Sequence, residues 1–259
     1  MEDQSLLEEK IQALYIDFFN ALNIDHETGI WNDAPKKHLR FSSMPHVGKN
    51  YLKQKKKILF IGLDMGCDEK HKENKYQNIS ERRFGHDTSY NQHLSGTCIE
   101  TICILKDFDK EFSEAWDLIC SSDRTNKGIF TQYCDELPPD ILSNVALTNI
   151  YKFVTEGRSN REGDSDRNWF KQEAKCKELL YNEINLLSPD VIWFQGINSY
   201  NNIKDIIERY INQKNSTIEV YEAAHPSARC PKYINEDSCY YKRPSYIEHV
   251  MKNTKPRYK

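Results

Sequence analysis

Lys57-Ile58-Leu59-Phe60-Ile61-Gly62-Leu63-Asp64 is an apolar run closed by glycine and aspartate, and its reading decides the fold. A strand with one wet face alternates apolar and polar residues, whereas a short unbroken run of aliphatic and aromatic side chains reads as a strand buried on both faces. Three similar runs follow at 145–149 (VALTN), 191–196 (VIWFQG) and 217–224 (TIEVYEAA), the last leading into His225. Helical periodicity fills 97–120, 166–187 and 198–213, and Pro189 stops the second helix just before a strand. Strands alternating with helices predict an α/β fold: a parallel four-stranded sheet covered on both faces, a three-layer α/β/α sandwich. Ligands of such sheets bind beyond the carboxyl ends of the strands, where this chain places Asp64, Asn149, Gln195 and His225.

Outward from these strands, Leu6, Leu7, Ile11, Leu14, Tyr15, Phe18, Phe19 and Leu22 recur at helical spacing, so residues 5–22 are expected to form an amphipathic packing helix. Segment 66–96 is the least regular part and too long for a simple connection, which marks it as a functional loop or a disordered one. The 259 residues, 38% hydrophobic and 29% charged, suit one folded domain with a sizeable core. The net charge of −3 is segregated. Residues 1–35 hold eight acids against one lysine, and residues 229–259 hold eight bases against three acids, which permits a phosphate-facing side. The eight cysteines form no Cys-x-x-Cys pair, arguing against a disulfide framework and a zinc site. No apolar run approaches the roughly 20 residues of a membrane span, and the acidic N-terminus is unlike a signal peptide, so a cytoplasmic protein with no membrane partner is expected; a monomer is expected as well.

Three motifs lie at predicted strand ends. Gly62-Leu63-Asp64-Met65-Gly66 resembles the first motif of the uracil-DNA glycosylase superfamily, written G-Q-D-P-Y-H in its uracil-specific branch. Leu147-Thr148-Asn149-Ile150-Tyr151-Lys152 is similar to the base-reading strand, and His225-Pro226-Ser227-Ala228-Arg229 to the H-P-S motif. Leu187-Ser188-Pro189-Asp190-Val191-Ile192 also fits the third strand, which opens with proline and closes with glycine. Each is weak alone; their shared order across residues 55–232 carries the resemblance. It implies a single glycosylase domain over 1–259, with a helical extension (1–50), a motif-bearing core (55–232) and a basic C-terminal segment (233–259).

The resemblance implies a monofunctional DNA glycosylase that flips a base out of DNA, hydrolyses its N-glycosidic bond and leaves an abasic site. Asp64 would orient the attacking water and stabilise positive charge on the sugar, and His225 would donate a hydrogen bond to the departing pyrimidine. Taken singly, Asp64 reads as a helix cap and His225 as a core histidine; at two strand ends together they favour chemistry. Asn149 would read the base edge, with Asn144 as a competing alignment. Phe84 would stack on the base, and Met65 and Gly66 would line its pocket. Gly62 and Ser227 would contact DNA, and Arg229 would enter the base stack or pair with phosphate. Neither metal nor cofactor is expected, because the cysteine pairs of the iron–sulfur branches are missing.

Gly66 departs from the uracil-specific branch, where a tyrosine two residues after the aspartate blocks the pyrimidine C5 position. That opening favours a 5-substituted pyrimidine, such as a glucosylated hydroxymethyl base of phage DNA, over plain uracil in repair. Asn149 does not decide between uracil and cytosine, because half a turn of its amide exchanges donor and acceptor. Alternatives of other classes are a catalytically inactive module that binds DNA or protein, and an unrelated nucleotide-binding α/β protein; against the latter, no phosphate-cradling glycine loop follows the first strand.

Overall fold

The computed structural model describes residues 3–33, 39–41, 44–63, 141–155, 174–196, 198–214, 217–223 and 255–258. In chain order the elements are α1 (Gln4–Leu22), β1 (Leu39–Phe41), β2 (His46–Val47), β3 (Ile58–Gly62), β4 (Ala146–Asn149), β5 (Phe153–Thr155) and α2 (Ala174–Leu187). They continue with β6 (Val191–Gln195), α3 (Ser199–Asn202), α4 (Lys204–Lys214), β7 (Glu219–Ala223) and β8 (Lys255–Tyr258). The architecture is mixed α/β, built on a six-stranded mixed sheet in the order β2-β4-β3-β6-β7-β8.

The four apolar runs become β3, β4, β6 and β7, which pair with one another in parallel. Every residue of β3, β4 and β6 is buried, as strands without polar alternation require. On one face Leu59, Ile61, Ala146, Ile192, Phe194 and Val220 join a core shared with the apolar stripes of α1, α2 and α4. On the other face the rings of Phe60 and Trp193 lie 6.4 Å apart and those of Trp193 and Tyr221 5.5 Å apart. Phe60 and Trp193 are as shielded from water as their neighbours on the first face.

The sheet departs from the expected four parallel strands by gaining an antiparallel strand at each edge. β2 pairs with β4, and β8 pairs with β7. Both are poor sequence signals for a physical reason. β2 has two residues, and β8 (Lys255-Pro256-Arg257-Tyr258) carries the charges and proline that suit an edge, where an unpaired ladder must not recruit another chain. A second, two-stranded sheet pairs β1 with β5. It brings Phe41 and Phe153 against Phe19 and Trp31, with ring centroids 4.9 Å (Phe19–Phe41) and 5.1 Å (Trp31–Phe153) apart.

Helix α1 follows its expected span. Asp3 caps it, accepting the Ser5 N–H, and Asn23 closes it in the left-handed region at φ 53°. Its buried stripe (Leu7, Ile11, Tyr15, Phe18, Phe19, Leu22) joins the common core, so the N-terminal extension packs as part of the fold. The helix expected over 198–213 is divided at Ile203 into α3 and α4. The helix expected over 166–187 is present as α2 from Ala174; 166–173 and the helix expected over 97–120 lie outside the described residues. The two-sided helical cover of a three-layer sandwich is therefore described on one face only.

Candidate functional site

Because β4, β3, β6 and β7 are parallel, their carboxyl ends share one edge of the sheet. Asn149, Gly62, Gln195 and Ala223 stand along it. Gly62 is in register with Asn149, and Gln195 with Ala223. Beyond Asn149 the ladder is prolonged by backbone: the Ile150 N–H donates to the Gly62 carbonyl (2.9 Å) and the Tyr151 N–H to the Leu63 carbonyl (2.8 Å). The exit of β4 is thus stitched to the exit of β3, and Leu63 is the last described residue before Asp64. Ala223 likewise ends the described chain two residues short of His225.

Asn149 is 4% exposed, and its Nδ2 has no hydrogen-bond partner among the described residues. A buried amide without a partner costs about 1–3 kcal/mol, a cost that a bound hydrogen-bonding ligand would remove. Asn144 occupies a different place. It ends the 3₁₀ turn Ile141–Asn144 at the amino end of β4, and its Oδ1 accepts from Gln54 Nε2 at 3.0 Å. Of the two asparagines, only Asn149 stands on the carboxyl edge.

Of the residues expected at the site, Gly62 and Asn149 are brought together. Asp64, Met65, Gly66, Phe84, His225, Ser227 and Arg229 lie outside the described residues. Gln195 is buried at the end of β6, and the turn after it is tight: a Cβ placed on Gly196 would lie 2.6 Å from Ser199 Oγ. A glycine closing this strand therefore has a steric reason. The α3 turn is held by Glu222 of β7, whose Oε1 accepts the Tyr200 N–H at 3.0 Å and whose Oε2 accepts from Arg257 of β8.

Sequence reasoning missed a polar cluster directly behind the Asn149 segment. Lys152 Nζ donates to both Glu183 oxygens at 3.1 and 3.0 Å and to Thr148 Oγ1. The Thr148 hydroxyl donates to Glu183 Oε1, and the Tyr15 hydroxyl to Glu183 Oε2. The ion pair is dry, with side chains 2% (Lys152) and 0% (Glu183) exposed. A signal for Glu183 existed: it falls in the apolar phase of α2 between Leu179, Leu180 and Leu187, where an acid needs a buried partner.

Burial pulls the Lys152 ammonium below the usual lysine range, although Glu183 opposes the shift. Burial, reinforced by Glu183, pushes the Tyr15 hydroxyl well above the usual tyrosine range, and burial does the same to Tyr51. These shifts act with opposite sign on stability. The unfolded chain keeps a proton on Lys152 to higher pH than the folded one, so that group adds stability as pH rises toward about 10. The tyrosines ionise first in the unfolded chain, so their contribution is lost as pH climbs beyond about 10. The urea midpoint should therefore fall above that pH, and more gently in Tyr15→Phe. A Tyr15→Phe protein falling as steeply as the parent would remove Tyr15 from the cause.

No protein-family model and no curated protein matches the chain. Among the described residues no helix is long and apolar enough to cross a membrane.

Proposed function

We propose that this protein is a DNA glycosylase of the uracil-DNA glycosylase type, working without metal or cofactor as a cytoplasmic monomer on DNA. The observation that carries the reading is the buried Asn149 Nδ2 at the carboxyl edge, without a hydrogen-bond partner among the described residues, on a residue in register with Gly62 and therefore beside the strand that leads into Asp64. The order of the four parallel strands supports it, since β3 and β7, the strands that precede Asp64 and His225 in the sequence, end on the same edge.

In this reading the target nucleotide is rotated out of the stack, since its glycosidic bond cannot be attacked within the duplex. The C1′–N bond breaks and its electron pair leaves with the base. Water then forms the new C1′–O bond, and the proton it gives up passes to the Asp64 carboxylate and finally neutralises the departed base anion. Asp64 orients that water and stabilises the cationic sugar, and His225 donates to the pyrimidine O2 as negative charge grows there. Asn149 satisfies its amide on the base edge, Phe84 stacks on the base, Met65 and Gly66 border it, and Gly62, Ser227 and Arg229 meet the DNA backbone or stack.

The substrate we propose is a 5-substituted pyrimidine, hypermodified phage bases included, with plain uracil as the alternative. The test is release from duplex oligonucleotides carrying uracil, thymine, 5-hydroxymethyluracil, 5-hydroxymethylcytosine or its glucosylated form, scored by alkaline cleavage at abasic sites. Release of a 5-substituted base supports the reading, release of uracil alone shows that the pocket is closed at C5, and no release from any of them overturns the enzymatic proposal.

Gly66→Tyr should selectively weaken release of the 5-substituted bases. A tyrosine ring fills the volume such a substituent needs, and overlap in a packed pocket costs about 1–3 kcal/mol, roughly five- to 150-fold in rate. Uracil, with hydrogen at C5, should be unaffected. Equal loss on all bases would mean that the side chain disturbs the loop rather than gating C5.

A further inference from the structure

The Lys152–Glu183 pair is expensive where it stands. Taking two charges out of water carries a desolvation penalty that their mutual attraction need not recover, and apolar residues of similar volume commonly hold such a position as well or better. Stability alone does not explain a lysine 3% exposed against a glutamate 0% exposed in an otherwise apolar core.

Its placement suggests another role. Thr148 and Lys152 flank Asn149 in the chain, and both are tied to the same carboxylate of α2, which Tyr15 of α1 steadies from the far side. Lys152 Nζ also lies 5.9 Å from the centroid of the Tyr15 ring. The intervening residues are held from the opposite direction by Ile150 and Tyr151 donating to the Gly62 and Leu63 carbonyls. Segment 148–152 is thus clamped twice, by side chains to the helices and by backbone to β3. Because successive strand residues point to opposite faces, Thr148 faces the helices while Asn149 faces the other side, so the clamp does not engage the Asn149 amide.

We infer that Lys152, Glu183, Thr148 and Tyr15 form a positioning device that fixes the carboxyl end of β4 and thereby aims the Asn149 amide at its ligand. The inference rests on the proposed base-reading role of Asn149. An amide reads a base edge only when it stands at a fixed distance and angle to that edge, which requires the backbone beneath it to be immobile. Salt-bridged and hydrogen-bonded residues with discrete arrangements supply that rigidity better than exchangeable apolar packing.

The experiment replaces the ion pair in the full-length chain with Lys152→Met and Glu183→Leu together, avoiding a lone buried charge. Urea unfolding checks that the pair variant folds, with Thr148→Val as a second variant should it not. Single-turnover release is measured on the five-base oligonucleotide panel, together with affinity for undamaged duplex. The Asn149 side-chain amide is followed by nitrogen-15 NMR, assigned with Asn149→Ala. The expected result is a folded variant that binds undamaged duplex like the parent, releases its preferred base at least tenfold more slowly and discriminates less between bases, with the Asn149 amide signals broadened or doubled. Parental rate and selectivity with a single sharp amide pair would overturn the inference. If the parent itself released no base, the glycosylase reading would fall, and the NMR comparison alone would decide whether the cluster orders Asn149.

Discussion

Asp64→Asn and His225→Ala should each lower single-turnover base release by about a hundred- to ten-thousandfold, the range for a positioned acid–base group or a donor aimed at developing charge. Asparagine matches aspartate in volume but lacks the charge that stabilises a cationic sugar. Alanine at 225 leaves the departing base oxygen without its donor. Both interactions strengthen only as the glycosidic bond breaks, so kcat should fall with little change in KM. Affinity for undamaged duplex should persist, since phosphate contacts dominate it. If the two residues act on one transition state, the double variant should lose much less than the product of the single losses. The observation behind the prediction is that β3 and β7 run parallel in one sheet with β6 between them, ending at Gly62 and Ala223 on the same edge. Near-parental release by either variant would remove that residue from the mechanism.

What the sequence reveals of this fold is what local physics dictates. The apolar runs that become β3, β4 and β6 are buried throughout because only a sheet covered on both faces hides side chains on both sides of a strand, whereas β7, with Glu219 and Tyr221 half-buried, is buried fully on one face only. The periodic stripe from Leu7 to Leu22 becomes α1, with Asp3 and Asn23 as caps. The strands that escape, β2 and β8, are two- and four-residue edges whose pairing is decided by neighbours remote in sequence. Pro256 in β8 argues for a loop until an edge position removes the need for its missing N–H.

The candidate site divides in the same way. Asn149 could be chosen over Asn144 because it ends an apolar run, and the structure places the two at opposite ends of β4. The clamp behind it was illegible as a unit, since Tyr15, Thr148, Lys152 and Glu183 come from α1, β4, the turn after it and α2, and only packing makes them neighbours. Glu183 alone was anomalous in sequence, a charge in an apolar phase, and that anomaly did not say which cation would answer it.

Phe194→Ala should destabilise the protein by about 3–5 kcal/mol, the usual range for truncating a buried aromatic ring. Phe194 is 0% exposed on β6, a strand bordered by β3 and β7, so no solvent-facing edge can relax into the void. It faces the helix-covered core, and its ring meets Tyr200 of α3 edge-on at 5.8 Å and 79°. That contact should appear in a double-mutant cycle with Tyr200→Ala as about 0.5–1.5 kcal/mol of coupling beyond the buried area. Leu6, 43% exposed on α1, provides the contrast, because Leu6→Ala removes little that folding had taken from water and should stay within about 0.5 kcal/mol of the parent. Urea unfolding measures all of these. A Phe194→Ala loss below about 1 kcal/mol would mean that the space collapses onto other side chains, which a closely packed central strand should resist. Because Gln195 and Gly196 follow directly, a cavity at Phe194 should also loosen the turn that Glu222 holds through the Tyr200 N–H. Hydrogen exchange at that amide should therefore quicken more than the global loss of stability requires.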